Sequence, residues 1–281
     1  MHKAYFKKRS TLENLINDLG ANTIFGFSES WLKNSDDKKL WQMSPTHFKT
    51  FRTDRESPNR ENGGGVMLII PACLNPKMRN DLNYLNKELF ESLWIECSLN
   101  NSTSNKQKQL INISYNPKKA YYHQFLEELS ISIDHAIVEN KPLTMMGDYN
   151  KNYLNQRERE DLETVILPYG LTTINTDQPT RISNKSGTLI DYIITDHYNA
   201  HSFSSFVSDT PFRTSANKPI DHFATSIISN IELQPSPKMF MKEIYDKKSY
   251  KKDFFQNLLF NCNWSYFYGQ TCPEGMFSIF A

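Results

Sequence analysis

Pro142-Leu143-Thr144-Met145-Met146-Gly147-Asp148-Tyr149-Asn150 is the stretch on which the fold turns. Its short apolar run, bounded by Pro142 and Gly147, has the length and composition of a buried strand. Gly147 lets the backbone turn where a side chain would be in the way. Asp148 and Asn150 follow at once, and in an extended segment residues i and i+2 point to the same side. Both oxygens would then face one pocket at a strand end, an arrangement that suits magnesium or a phosphoryl oxygen. Plain turn chemistry is the commoner use of such an Asx pair, so the stretch alone leaves both readings open.

Working outward, 281 residues suffice for one large domain with an appendage, or two modest domains. A 38% hydrophobic and 13% aromatic composition supports a packed core and argues against wholesale disorder. With a net charge of +1, contact with nucleic acid has to come from local patches. Cys73, Cys97, Cys262 and Cys272 show no CxxC spacing, which implies a reducing compartment with neither a zinc site nor a disulfide framework. The basic segment Met1 to Ser10 lacks the apolar core of a signal peptide, and no apolar run reaches membrane-spanning length. An intracellular protein with no membrane partner is expected.

Along the chain, Leu12, Leu15, Ile16 and Leu19 predict a helix closed by Gly20. Thr23 to Phe27 reads as a strand running into Ser28-Glu29-Ser30-Trp31-Leu32. A Glu there either reaches solvent or is paired or metal-bound, since burying its charge alone is costly. Residues 33 to 62 read as loop. Gly63-Gly64-Gly65 leads into the strand Val66 to Ile70, and without GK[ST] or a following helix it is a close backbone approach rather than a phosphate cradle. Leu93 to Cys97 and Gln109 to Tyr115 read as a hairpin. A helix with Phe125, Leu129, Ile133 and Ala136/Ile137 on one stripe follows Tyr115-Asn116-Pro117. A short helix is expected over Asp161 to Ile166, then irregular chain through Thr180-Arg181, then a strand from Thr188 to Thr195. Asp191 interrupts that last apolar run and needs partners if buried. Asp221-His222 precedes strand-like Phe223 to Ile228. Pro235 and Pro237 mark a linker, and Lys242 to Phe260 is a basic amphipathic stretch that reads as a solvated helix face before a nucleic-acid clamp.

Strands with helices between them, and acidic residues at successive strand ends, predict a two-sheet α/β sandwich with one polar mouth. The order of these residues resembles a known family. Ser28-Glu29-Ser30-Trp31-Leu32 is similar to an "ETWL" element, Gly147-Asp148-Tyr149-Asn150 to "GDFN", and Asp221-His222 to "SDH". These mark the endonuclease/exonuclease/phosphatase superfamily. Gly63 to Ile70, Leu93 to Glu96, Tyr115-Asn116-Pro117, and Gln178-Pro179-Thr180-Arg181 with Leu189-Ile190-Asp191 resemble the endonuclease domain of non-LTR retrotransposons. The likeness covers roughly residues 10 to 229. It implies a DNase-like α/β (α+β) fold of four layers, two β-sheets flanked by helices, over residues 1–230. Residues 231–281 would be a linker and helical connector towards a reverse transcriptase.

The resemblance also implies roles. Glu29 would hold magnesium, or manganese in its stead, with Asp221 a second metal-side carboxylate. Asp148 and Asn150 would position and activate water and meet the phosphate. Asp191 would orient His222, which would bind or protonate phosphate oxygens, and Tyr115 would hydrogen-bond the phosphate. Arg181 is the side chain expected nearest a phosphate, or else the cap of a loop. The substrate would be DNA, nicked to leave a 3′-hydroxyl, with the work done in the nucleus.

Three departures qualify that match. The family's first-strand Asn has no counterpart in Met1 to Ser10, Pro219-Ile220 stands where Ser is usual, and Lys118 follows Pro117. A truncated or decayed, inactive copy is therefore the alternative. A phosphatase of the same superfamily is a further one, although the Trp before the GD element and the Pro-x-Trp-Cys-Asp-Arg stretch of that branch are absent.

Overall fold

The structure, a computed structural model, describes residues 23–32, 47–55, 64–83, 90–99, 107–117, 121–174, 177–183, 186–200, 203–208 and 221–229. The expected helix over Leu12 to Leu19 and the linker and connector at 231–281 lie outside them. In chain order the elements begin with strands β1 (Phe25–Ser28), β2 (Phe48–Thr53), β3 (Val66–Pro71), β4 (Lys77–Met78), β5 (Glu91–Leu99) and β6 (Gln107–Tyr115). Helix α1 (Tyr122–Ile137), β7 (Leu143–Asp148), helix α2 (Gln156–Ile166), β8 (Leu171–Ile174), β9 (Arg181–Ser183) and β10 (Ser186–Thr188) follow. The last are β11 (Asp191–Asp196), the short helix α3 (His197–Ala200), β12 (Phe203–Val207) and β13 (Thr225–Ser229).

The strands form a large sheet of order β4-β5-β6-β7-β11-β8 and a small one of order β1-β3-β2. Strands β9–β10 and β12–β13 make two-stranded ribbons. All large-sheet pairings are antiparallel except β6 with β7, which run parallel because α1 carries the chain back between them. Alternation along the strands divides the core in two. On one face Leu93, Ile95, Cys97, Ile111 and Ile113 pack against Val66, Leu68 and Ile70 of the small sheet. On the other, Trp94, Leu110, Met145 and Ile194 pack against Phe125, Leu129 and Ile133 of α1 and Leu162 and Ile166 of α2. The described residues therefore give the two sheets and one helical layer of the expected sandwich.

Several boundaries differ from expectation. The stretch expected as loop contains β2, an edge strand of the small sheet with only Phe48 buried. Its pairing with the wholly buried β3, not its own pattern, makes it a strand. Helix α2 starts at Gln156 rather than Asp161. Its polar first turn shows no apolar period, yet the Asn155 side chain caps it by accepting the Glu158 N–H at 3.2 Å. Strands β8 and β9 lie where irregular chain was expected. Gly147 is not a turn residue: it lies inside β7 with φ +156°, and a Cβ there would fall 1.8 Å from the Ser114 carbonyl oxygen. The parallel partner approaches so closely that only glycine fits.

Candidate active site

The registers of four neighbouring strands place Glu91 opposite Tyr115, Tyr115 opposite Asp148, and Asp148 opposite Asp191. One transverse row thus carries Glu91, Tyr115, Asp148 and Asp191 on the face turned to the small sheet, where the apolar inter-sheet core ends. Adjacent strands are about 4.8 Å apart, so three carboxylates and a phenol are brought together by pairing alone. Asp191 accordingly opens β11, not its middle as expected, and its place at a strand end is what gives it access.

Around this row the loops add the remaining groups. The Asp191 carboxylate accepts the Thr180 hydroxyl at 3.0 Å and lies 2.9 Å from His222 Nδ1 on the same oxygen. Thr180, fully buried, also accepts the Ile190 N–H at 3.1 Å and the Asp191 N–H at 3.0 Å. Its carbonyl takes the Phe223 N–H at 2.7 Å, which ties the His222 segment to Asp191. Glu29 arrives from the loop after β1 with left-handed backbone, φ 55°, and receives the Tyr115 hydroxyl. Such a φ in a residue other than Gly costs about 1–3 kcal/mol and persists only where surroundings hold it.

Asn150 does not share an extended segment with Asp148. Its φ is 52°, its N–H bonds Asp148 Oδ1 at 2.9 Å and its amide donates to the Asn116 carbonyl at 2.9 Å. The turn chemistry of the Asx pair is therefore present, and it brings Asn150 beside the row rather than away from it. Asn116, fully buried, braces this turn by donating its amide to the Tyr149 carbonyl at 2.9 Å.

The electrostatics follow from crowding. Burial first, then the Asp191 charge, pushes the Asp148 carboxyl well above the carboxylate range, against the opposing pull of His222. Burial works against a charged His222, but the bond to Asp191 and the Asp191 and Asp148 charges outweigh it, so its pKa is raised. Burial and the neighbouring Glu29 hold the Tyr115 hydroxyl protonated, which makes it the donor in its bond to Glu29. Asp148, Asp191 and His222 bring one ligand atom each within 4.8 Å of one another, a geometry able to hold a metal ion.

Neither Glu29 nor Asp221 belongs to that trio. The Glu29 charge is nonetheless felt at Asp148 and Tyr115. Asp221 is exposed and accepts from Arg181 Nε at 2.7 Å, and despite some burial that cation holds its carboxyl below the usual range. The structure thus brings Tyr115, Asp148, Asn150, Asp191, His222 and Glu29 to one mouth, with the Arg181–Asp221 pair at its rim.

One group of the site, Glu91, escaped the sequence reading, and Thr180 was read only as part of Gln178-Pro179-Thr180-Arg181, without its role. Glu91, 1% exposed, accepts the Gly65 N–H at 2.7 Å and pairs with Arg55. It opens an apolar run in the way Asp191 does, and that signal applied there would have found it. Thr180 carries no comparable signal, being neutral and short.

No protein-family model matches the sequence, and no curated protein is significantly similar to it. Solved structures do match. The endonuclease domain of TRAS1, a telomere-specific non-LTR retrotransposon, is 12% identical over 80% of this chain and 91% of its own, with a TM-score of 0.52. The Xenopus laevis APE2 catalytic domain is 16% identical over 80% of this chain and 90% of its own, with a TM-score of 0.53. The fold is that of the endonuclease/exonuclease/phosphatase proteins. A Bacteroides thetaiotaomicron protein described as of that family shares this fold at 11% identity and a TM-score of 0.51, over 79% of this chain and 88% of its own. In this endonuclease/exonuclease/phosphatase fold the chain places its carboxylate row on the inner face of the larger sheet.

Proposed function

We propose that this chain is a metal-dependent phosphodiester hydrolase, the DNA-nicking endonuclease domain of a non-LTR retrotransposon. The observation that carries this reading is the single row Tyr115–Asp148–Asp191, with His222 held on Asp191 and Glu29 on Tyr115. Asp148, buried and pushed towards neutral pH, has the basicity to take a proton from an attacking water. Asn150 spends one amide N–H on Asn116 and keeps the other for a phosphate oxygen. His222, whose charged form Asp191 favours, supplies positive charge and a proton to the phosphate oxygens. Arg181, anchored among the described residues through Nε, offers its other guanidinium N–H groups to a neighbouring phosphate.

The donor set fits magnesium or manganese, since hard oxygens dominate it and crowded carboxylates with a raised pKa are relieved by a cation. Glu29 would hold it, with Asp221 the second carboxylate that the family likeness implies, here engaged by Arg181, and Asp148 would join from the Asp148–Asp191–His222 group. When bound, such an ion neutralises the equatorial phosphate oxygens and lowers the pKa of water. On this reading residues 1–230 are the endonuclease, 231–281 lead towards a reverse transcriptase, and the enzyme works in the nucleus.

Supercoiled plasmid incubated with the protein and magnesium should yield nicked circles whose 3′ ends a polymerase extends directly. Asp148→Ala and His222→Ala should each lower the nicking rate by roughly 10²–10⁴-fold. Nicking by either variant at the wild-type rate overturns the assignment.

A further inference from the structure

Behind Glu29 and Tyr115 the contacts close on themselves. The Glu91 carboxylate accepts the Gly65 N–H at 2.7 Å, and the Gly65 carbonyl accepts the Ser30 N–H at 2.9 Å. Ser30 adjoins Glu29, whose carboxylate receives the Tyr115 hydroxyl. The Arg55 guanidinium lies over the Tyr115 ring, its central carbon 5.7 Å from the centroid, and Arg55 Nε returns to Glu91. The circuit therefore runs Glu91, Gly65, Ser30–Glu29, Tyr115, Arg55 and back.

This ring gives two features of the chain a cause. The backbone at Gly64 and Gly65 is left-handed, and a Cβ on Gly64 would fall 2.3 Å from the Arg55 guanidinium carbon. The glycine run thus makes room for a buried cation against the main chain. The left-handed Glu29 and Trp31 are held by the same glycines, the Trp31 N–H bonding the Gly64 carbonyl at 2.9 Å. Arg55 also keeps Nη2 buried without a hydrogen-bond partner, so the Glu91 bond and the tyrosine ring are what offset its desolvation.

We propose that the buried Arg55–Glu91 pair is a positioning device, which fixes Glu29 and Tyr115 where a divalent cation and a phosphate would be held. Glu91 opens the row, Arg55 lies outside it, and neither residue belongs to any motif read from the sequence. Arg55 and Glu91 act through other groups, Glu91 on the Glu29 loop by way of Gly65 and Arg55 on the Tyr115 ring. The two arms meet at the Tyr115–Glu29 bond. Supporting residues of this kind typically change metal affinity by about 10–100-fold when altered. The proposal rests on the cation-dependent reading above.

The test measures manganese binding directly, by the loss of the free-ion electron paramagnetic resonance signal, beside the magnesium dependence of plasmid nicking. Glu91→Gln keeps the shape and an acceptor for Gly65 but loses the charge. Arg55→Lys keeps the charge but loses the planar fork and its stacking. Each should weaken manganese binding by about 10–100-fold and raise the half-saturating magnesium concentration in parallel, by a larger factor than the rate at saturating metal falls. A merely structural role would instead lower the melting temperature and the saturated rate together.

Arg55→Met/Glu91→Met leaves no charge unpaired and decides the case if a single variant fails to fold. Wild-type manganese affinity in the folded variants overturns the proposal. If Asp148→Asn abolishes manganese binding and nicking while those variants bind as wild type does, the positioning role falls and the hydrolase stands. If the wild-type protein binds no manganese, both fall.

Discussion

At one end of the large sheet Glu96, Glu139 and Asp81 each meet cations; at the other, Glu91, Asp148 and Asp191 are crowded into one row. Arg79 bonds Glu139 from Nη1 at 2.8 Å and Asp81 from Nε at 2.9 Å, and lies 3.4 Å from Glu96. Lys108 reaches Glu96 at 2.8 Å, and Lys141 bridges Glu96 and Glu139. Burial opposes ionisation of Glu96, yet the lysine bonds hold it below the usual range, while the Arg79 bond does the same for Glu139 and Asp81. At the other end burial prevails at both Asp148 and Glu91, and their pKa values rise. Residue types of the same kind are joined in a completed ion network in one place; in the other, among the described residues, a single cation meets Glu91 and Asp191 each, and burial raises the pKa of Glu91 and Asp148. The second arrangement costs stability in the protein alone, and a cation or a proton relieves it.

The largest expected effect tests that cost. Asp148→Asn should lower nicking by about 10²–10⁴-fold yet make the metal-free protein more stable at pH 8. The sign follows from linkage: an acid whose folded pKa is raised contributes stability that is full below its ordinary value of 3.8 and is lost as pH rises through the folded one. The substitution removes that loss, so a gain of about 1 kcal/mol, or roughly 2–4 °C for a domain of this size, is expected at pH 8 and none at pH 4. Calorimetry in a chelator at the two pH values reads it. A variant less stable than wild type at pH 8 would mean that Asp148 is not under electrostatic load.

Asp191→Asn comes next, with nicking lowered by about 10²-fold. His222 loses the charge that raises its pKa, so its imidazole resonances should titrate at lower pH than in the wild type. The alkaline limb of the rate profile should move down with them. In the wild type the stability owed to His222 is full below 6.5 and lost as pH rises through the raised value, so Asp191→Asn should flatten that fall. Unchanged His222 titration would separate the two residues in function.

The sequence showed the carboxylates and the order of the strands, because a charge that interrupts an apolar run is visible without any partner. Asp191 announced itself in this way, and Asp148 and Glu29 did so by standing just past the end of such a run. What could not be read was register. A shift of one residue would turn Tyr115 or Asp191 to the helical face, and only the pairings Tyr115↔Asp148 and Asp148↔Asp191 fix the row. Thr180 and Arg55 lie 11 and 36 residues from the carboxylates they serve, so nothing local signals their roles. Edge strand β2 and the polar start of α2 were hidden for the related reason that a pairing partner and a cap made them, not an apolar period.

The smallest effect expected is at the saturated end. Arg79 is mostly buried and touches three carboxylates, and deletion of a lone buried partner commonly costs about 3–5 kcal/mol. Here the cost should be nearer 1 kcal/mol, because Lys141 and Lys108 still face Glu96, Lys141 still faces Glu139, and Asp81 turns to water. Arg79→Met should therefore lower the melting temperature by only a few degrees and leave manganese binding and nicking at wild-type values. Arg55→Met is the contrasting case: among the described residues it removes the single cation that meets Glu91, with no second to take over. Denaturant unfolding of the two variants side by side measures that redundancy. A loss at Arg79 equal to that at Arg55 would show that the network behaves as a set of single pairs, and that the two ends of the sheet differ in chemistry but not in how their charges are supported.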